Sequence, residues 1–104
     1  MFTSIRNKSV IVTGGTKGIG KGIAGAFAQL GARVCVIGRN EPDGVATVEA
    51  LRGGGGTAIF YRGDVKEHED MEEATATVAT AFGGVDILCA NAGIFPPVKL
   101  ERLL

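Results

Sequence analysis

The stretch from Val10 to Gly31 limits what this chain can fold into more than any other part of its 104 residues. Val10-Ile11-Val12 is a β-branched run without alternation, the pattern of a strand buried on both faces of a parallel sheet. It leads into Thr13-Gly14-Gly15-Thr16-Lys17-Gly18-Ile19-Gly20. From Gly18 onward Ile19, Ile23, Ala26, Phe27 and Leu30 recur at helical spacing, which predicts a helix with one apolar face closed by Gly31. Strand, glycine turn and helix in that order direct backbone N–H groups and the positive end of a helix dipole at one place, a geometry suited to a phosphate.

The pattern then repeats. Val34-Cys35-Val36-Ile37 reads as a second buried strand ending at Gly38, and Pro42 stands where a first helical turn tolerates it. Val45, Val48 and Leu51 give a short helical stripe, Gly53 to Gly56 end it, and a third strand lies around Thr57 to Tyr61. A third helix is expected over Glu67 to Phe82, with Met71, Ala74, Val78, Ala81 and Phe82 on one face. Glu67, Glu69, Asp70, Glu72 and Glu73 crowd its first turns, where the dipole favours negative charge, and are read as a solvated helix start. Gly83-Gly84 stops it, and Asp86 to Ala90 forms a fourth strand that runs into Asn91-Ala92-Gly93. The order β-α-β-α-β-α-β implies right-handed crossovers and a doubly wound parallel α/β sheet. Ligands bind such sheets beyond the carboxyl ends of the strands where strand order reverses, so the first and fourth strands should flank the crevice.

Composition removes several classes of function. Eleven Lys and Arg balance eleven Asp and Glu, so no overall basic field exists to hold nucleic acid or an anionic membrane. No apolar run approaches the roughly 18 residues of a membrane span, and Met1 to Lys8 lacks the apolar core of a secretion signal, so a cytoplasmic protein is expected. Cys35 and Cys89 each sit in an apolar run as small buried hydrophobes, and no metal site is expected. His68, the sole histidine, stands on the acidic helix start with no nucleophile or metal partner spaced to it.

A rival phosphate motif fails on one residue. Gly15 to Lys21 matches G-x-x-x-x-G-K, but Gly22 follows where a magnesium-binding hydroxyl is required. A methyltransferase fares no better, because Val36-Ile37-Gly38-Arg39 offers no acid to a ribose after the second strand.

Three signatures in order, Thr13-Gly-x-x-x-Gly-x-Gly20, Asp64-Val65 after the third strand and Asn91-Ala92-Gly93 after the fourth, resemble those of the short-chain dehydrogenase/reductase family. The similarity covers nearly the whole chain and extends to the 3-oxoacyl-[acyl-carrier-protein] reductases. It implies a Rossmann-type fold, of which this chain would be one half, and a cofactor site formed by Gly14, Thr16, Lys17, Gly18, Ile19, Gly20, Arg39, Asp64, Val65, Asn91, Ala92 and Gly93. In that family the early glycine makes the tight turn, the middle one lets the backbone reach a pyrophosphate, and Gly20 permits close helix packing. The resemblance further implies that Asp64 accepts from the adenine amino group, that Val65 packs near the ring, and that Asn91, Ala92 and Gly93 border the ribose and nicotinamide side. Asp64 also fits a helix cap before Glu67. Ala90 stands where the family usually carries a further Asn. Lys17 and Arg39 both suit a 2′-phosphate, and no carboxylate at the end of the second strand would repel one, so NADP is expected rather than NAD.

The family's hydride chemistry uses a Ser and a Tyr-x-x-x-Lys well after the Asn-Ala-Gly signature. The only tyrosine here is Tyr61, with Val65 four residues on, so no catalytic residue is assigned within this chain. Residues 1–95 are expected to form the dinucleotide-binding half, and 96–104 the start of a substrate-side segment, in an NADP-dependent oxidoreductase interconverting a carbonyl and an alcohol. Its partners would be a small carbonyl or alcohol substrate and further copies of itself in a homo-oligomer. A catalytically silent dinucleotide-binding or interaction module complete at 104 residues is the alternative.

Overall fold

A computed structural model describes residues 4–14, 16 and 18–90. Four strands, β1 (Ser9–Thr13), β2 (Arg33–Gly38), β3 (Thr57–Arg62) and β4 (Ile87–Ala90), alternate with three helices, α1 (Gly18–Gln29), α2 (Glu41–Gly53) and α3 (His68–Phe82). The strands form one parallel sheet in the order β3-β2-β1-β4. The expected doubly wound α/β architecture is therefore present, and each strand is a residue or two longer or shorter than its apolar run. The division expected at residue 95 lies outside the described residues.

Reversal of strand order at β1 separates the helices between the two faces. Val10, Val12, Val34, Val36 and Ala58 pack with Ala24, Ala28, Ala32 and Val48 in one core layer, beneath α1 and α2. Ile11, Cys35 and Ile37 point the other way and meet Ala74, Val78 and Phe82 of α3. Strand side chains alternate between faces, so a continuous apolar run is what a sheet covered on both sides requires. Entry into β4 is fixed beside the start of β1: Ser9 N–H donates to Asp86 Oδ2 at 2.8 Å, and Asp86 N–H donates to Ser9 O at 2.9 Å.

The helices differ from expectation in which face they bury. In α1 the buried residues are Gly20, Ala24 and Ala28, while Ile23 and Phe27 flank them partly buried; Ile19 is 76 % exposed and Leu30 59 %. Small residues let the helix axis approach the sheet, and the larger apolar side chains are displaced to the sides or to solvent. In α2, Gly44, Thr47 and Val48 face inward and Val45 is exposed. Gly44 is there because a Cβ would lie 2.3 Å from the Phe60 ring. In α3, Ala74, Val78 and Phe82 are buried but Ala81 is exposed. Asn40 caps α2 by accepting from Asp43 N–H at 3.0 Å, and Gly83 ends α3 in the left-handed conformation, donating to Ala79 O at 2.8 Å.

Both cysteines are free thiols. Cys35 packs on the α3 face and Cys89 against the α1/α2 layer, so the sheet lies between them. Burial pushes the Cys35 thiol up to about 12, opposed in part by a backbone hydrogen bond from Tyr61. The unfolded thiol ionises first, so this contribution to stability is full below the ordinary thiol value and is lost as pH rises from about 9 towards 12. Thermal unfolding followed between pH 9 and 10 should show stability falling by about 1 kcal/mol, and Cys35→Ala should remove most of that fall. An unchanged slope in the variant would assign the titration to other groups.

Candidate functional site

The carboxyl ends of β1, β2 and β3 bring the motif residues to one edge of the sheet. Beyond β1 the chain turns at Gly14, whose φ of 67° favours glycine and whose N–H donates to Ile37 O at 2.9 Å, extending the β1–β2 ladder. Gly18, at φ 53°, begins α1. A Cβ built on Gly18 meets no atom within 4 Å, so the space before the helix is open. The first turn of α1 carries no acid, whereas α2 has Glu41 and Asp43 and α3 has Glu69 and Asp70 in theirs. The positive end of the α1 dipole is thus left without a side-chain anion in its own first turn. Gly20 is buried, which the close seating of α1 requires.

Thr16 lies next to the end of β2: its side chain is 3.3 Å from the point a Cβ on Gly38 would occupy. Arg39 follows directly, exposed, and Asn40 is committed to capping α2. No carboxylate stands at positions 38–40. The expected phosphate-turn residues Gly14, Thr16, Gly18, Ile19 and Gly20 and the strand-end Arg39 therefore share one end of the sheet. Ile19, expected in the apolar face of α1, is instead exposed on that helix's first turn. Lys17, Asn91, Ala92 and Gly93 lie outside the described residues.

After β3, Asp64 is held by a local network. Its N–H donates to Asp70 Oδ2 at 2.8 Å and its Oδ1 accepts from Lys66 N–H at 2.9 Å. Glu67, not Asp64, is the N-cap residue of α3, and it makes no side-chain cap bond. The acids of α3 are accordingly more than a solvated helix start: Asp70 fixes the Asp64 backbone, Glu73 accepts from Tyr61 Oη at 2.7 Å, and Glu72 pairs with His68 at 2.6 Å on the exposed surface. The Glu73 carboxylate, with a smaller desolvation effect, raises the Tyr61 phenol to about 12. That shift is opposite to what a proton donor working near neutral pH needs. Val65 faces a cavity of about 580 Å³ on the α3 side, lined also by Thr13, Met71, Thr75, Leu88 and Ala90.

Two residues at this edge were not singled out by sequence motifs. Asp70 is six positions from the residue it holds. Arg62, the last residue of β3, pairs in register with Gly38 and places its Nε 3.3 Å from Arg39 O. Parallel register counted from the ends of the two apolar runs is the signal that finds Arg62. Among the described residues there is no group of three or more His, Cys, Asp or Glu arranged for a metal ion, and no helix long and apolar enough to cross a membrane.

Comparison with known proteins agrees with this geometry. The family model described as short chain dehydrogenase matches residues 8–103. The chain is 40 % identical over 103 residues to a 3-oxoacyl-[acyl-carrier-protein] reductase FabG of Chlamydia pneumoniae, covering 99 % of this chain and 42 % of the relative. It is 40 % identical over 92 residues to an L-fucose dehydrogenase of Oryctolagus cuniculus, covering 88 % and 31 %. A solved actinorhodin polyketide ketoreductase with NADPH superposes with a TM-score of 0.81 at 36 % identity, over 90 % of this chain and 36 % of that one. A dehydrogenase/reductase from Sinorhizobium meliloti 1021 gives 0.83 at 38 % identity, over 88 % and 37 %. The chain thus spans 31 % to 42 % of the length of these curated relatives. With motif order, sheet topology and sequence similarity in agreement over nearly its full length, the chain belongs to the short-chain dehydrogenase family.

Proposed function

We propose that this chain is the NADP(H)-binding part of an oxidoreductase that interconverts a carbonyl and an alcohol, with a 3-oxoacyl group among the candidate substrates. Short-chain dehydrogenases bind a nicotinamide dinucleotide, and the residues here fit one. The glycine turn and the α1 amides would receive the pyrophosphate, with Gly18 leaving the space a side chain would fill. The Asp64 carboxylate, which accepts from Lys66 N–H on a backbone that Asp70 holds, would accept from the adenine amino group, and Val65 would pack against the ring. Asn91, Ala92 and Gly93 would border the ribose and nicotinamide side. When bound, the cofactor supplies the hydride. The present residues bind and orient it, and a Ser and a Tyr-x-x-x-Lys outside these 104 residues would handle the proton.

The observation that carries the preference for NADP is the end of β2, where Arg39 is exposed and no acid stands at residues 38–40. A guanidinium matches a phosphomonoester in charge and fork geometry, whereas an NAD site uses a carboxylate there to accept from the ribose hydroxyls. Lys17 would add a second charge from the turn. A cytoplasmic location and a homo-oligomeric assembly belong to the same reading. Isothermal titration of the protein with NADPH and NADH is the test: NADPH should bind at least tenfold more tightly, and equal affinities would remove the preference.

A further inference from the structure

Arg62 is the residue at this edge whose placement the phosphate turn does not explain. It closes β3, and the parallel register sets it opposite Gly38, with Gly63 N–H donating to Gly38 O at 2.9 Å to continue the ladder. Its Nε lies 3.3 Å from Arg39 O, so one guanidinium is anchored on the main chain of the residue that carries the other. Both side chains are exposed, and neither makes an ion pair with a described carboxylate. On the β3 side Asp64 and Asp70 each accept a backbone N–H, from Lys66 and from Asp64, and on the β2 side Glu41 and Asp43 lie in the first turn of α2. Two cationic side chains therefore leave neighbouring strand ends at one edge of the sheet, an arrangement that favours an anion there. The Nε bond also uses only one of the five N–H donors of the Arg62 fork, and its terminal N–H groups make no further hydrogen bond among the described residues.

Resting on the NADP(H) reading above, we infer that Arg62 is a second specificity-determining residue, acting with Arg39 on the phosphomonoester of the adenosine ribose. A phosphate carrying a charge near −2 has three acceptor oxygens, enough to engage two guanidinium groups at once, and planar forks suit it better than an ammonium does. NADH has no such group, so Arg62 should contribute nothing to its affinity.

The test compares Arg62→Gln, Arg62→Lys and Arg39→Gln with the unaltered protein, titrating NADPH, NADH and adenosine 2′,5′-bisphosphate. Arg62→Gln should weaken NADPH and the bisphosphate by about ten- to hundredfold and leave NADH within about twofold, with Arg62→Lys falling between. If Arg62 only supports the Arg39 backbone, the loss will still fall on NADPH and the bisphosphate, but Arg62→Gln will cost nothing further in a protein already carrying Arg39→Gln; that result, a loss shared equally with NADH, or no loss at all overturns the inference. A preference for NADPH that Arg39→Gln destroys and Arg62→Gln spares would leave the NADP(H) reading standing and remove Arg62 alone. Equal binding of NADPH and NADH by the unaltered protein would remove both. A second measurement needs no variant: raising salt from 50 to 500 mM should erode NADPH affinity more steeply than NADH affinity. Parallel salt curves for the two cofactors would count against any phosphomonoester-binding cation pair.

Discussion

Gly44→Val should destabilise the domain by about 3 kcal/mol, lowering its melting temperature by roughly 12–24 °C. The β-carbon alone would lie 2.3 Å from the Phe60 ring, and three ring atoms stand within 2.4 Å of it. Phe60 is partly buried and packed against the α1/α2 core layer, so moving the ring aside would give up that packing. Gly44→Ala should cost less, since gaining an alanine in a helix returns about 1 kcal/mol. The diagnostic measurement is the double variant with Phe60→Leu, which removes the offending ring: its melting temperature should lie well above the value that adding the two single effects predicts. Strict additivity, or a Gly44→Val protein as stable as the original, would show that α2 and β3 are not in the contact described.

The second large effect concerns the cofactor. Gly18→Val should weaken NADPH and NADH together, by a hundredfold or more, because the side chain fills the open space in front of α1 where the shared pyrophosphate would lie. A β-branched residue at φ 53° is also strained, so circular dichroism must accompany the titration. Arg39→Asp should separate the two cofactors instead. It removes a charge-assisted contact worth roughly 1.5–3 kcal/mol to a 2′-phosphate and adds repulsion, while a carboxylate there can accept from the ribose hydroxyls of NADH. Equal losses in Arg39→Asp would place Arg39 away from the phosphate. A folded Gly18→Val protein that binds both cofactors normally would move the pyrophosphate off the glycine turn.

Element order and sheet class were legible because β1 and β2 are buried on both faces and read as unbroken apolar runs, while Gly31 and Gly83, both in the left-handed conformation, mark the ends of α1 and α3. The buried helix faces were less legible. Counting apolar residues favours Ile19 in α1 and Leu30 just past its end, yet close packing on a sheet selects for small size, and Gly20, Ala24 and Ala28 carry little hydrophobic signal. Candidate residues at Gly14, Thr16, Gly18 and Arg39 were readable because they follow strand ends within a few positions. Asp70 and Arg62 were not, since their partners come from tertiary register: Asp70 reaches back across the turn before α3, and Arg62 meets Arg39 only after β3 has aligned with β2.

The late arrival of β4 has a consequence for a chain emerging from the ribosome. Pairing of β1, β2 and β3 needs nothing beyond Arg62, whereas the second edge of β1 waits for Asp86 and the strand that follows it. At synthesis rates of about 5–20 residues per second, the intervening stretch takes roughly one to five seconds to appear. Throughout that interval Val10, Ile11 and Val12 present an unpaired, strongly β-forming edge, and the face that α3 will cover is bare. The nascent protein therefore passes through a stage in which its most buried strand is its most adhesive one. That exposure ends when Asp86 joins Ser9 through the paired hydrogen bonds and β4 closes over the open edge.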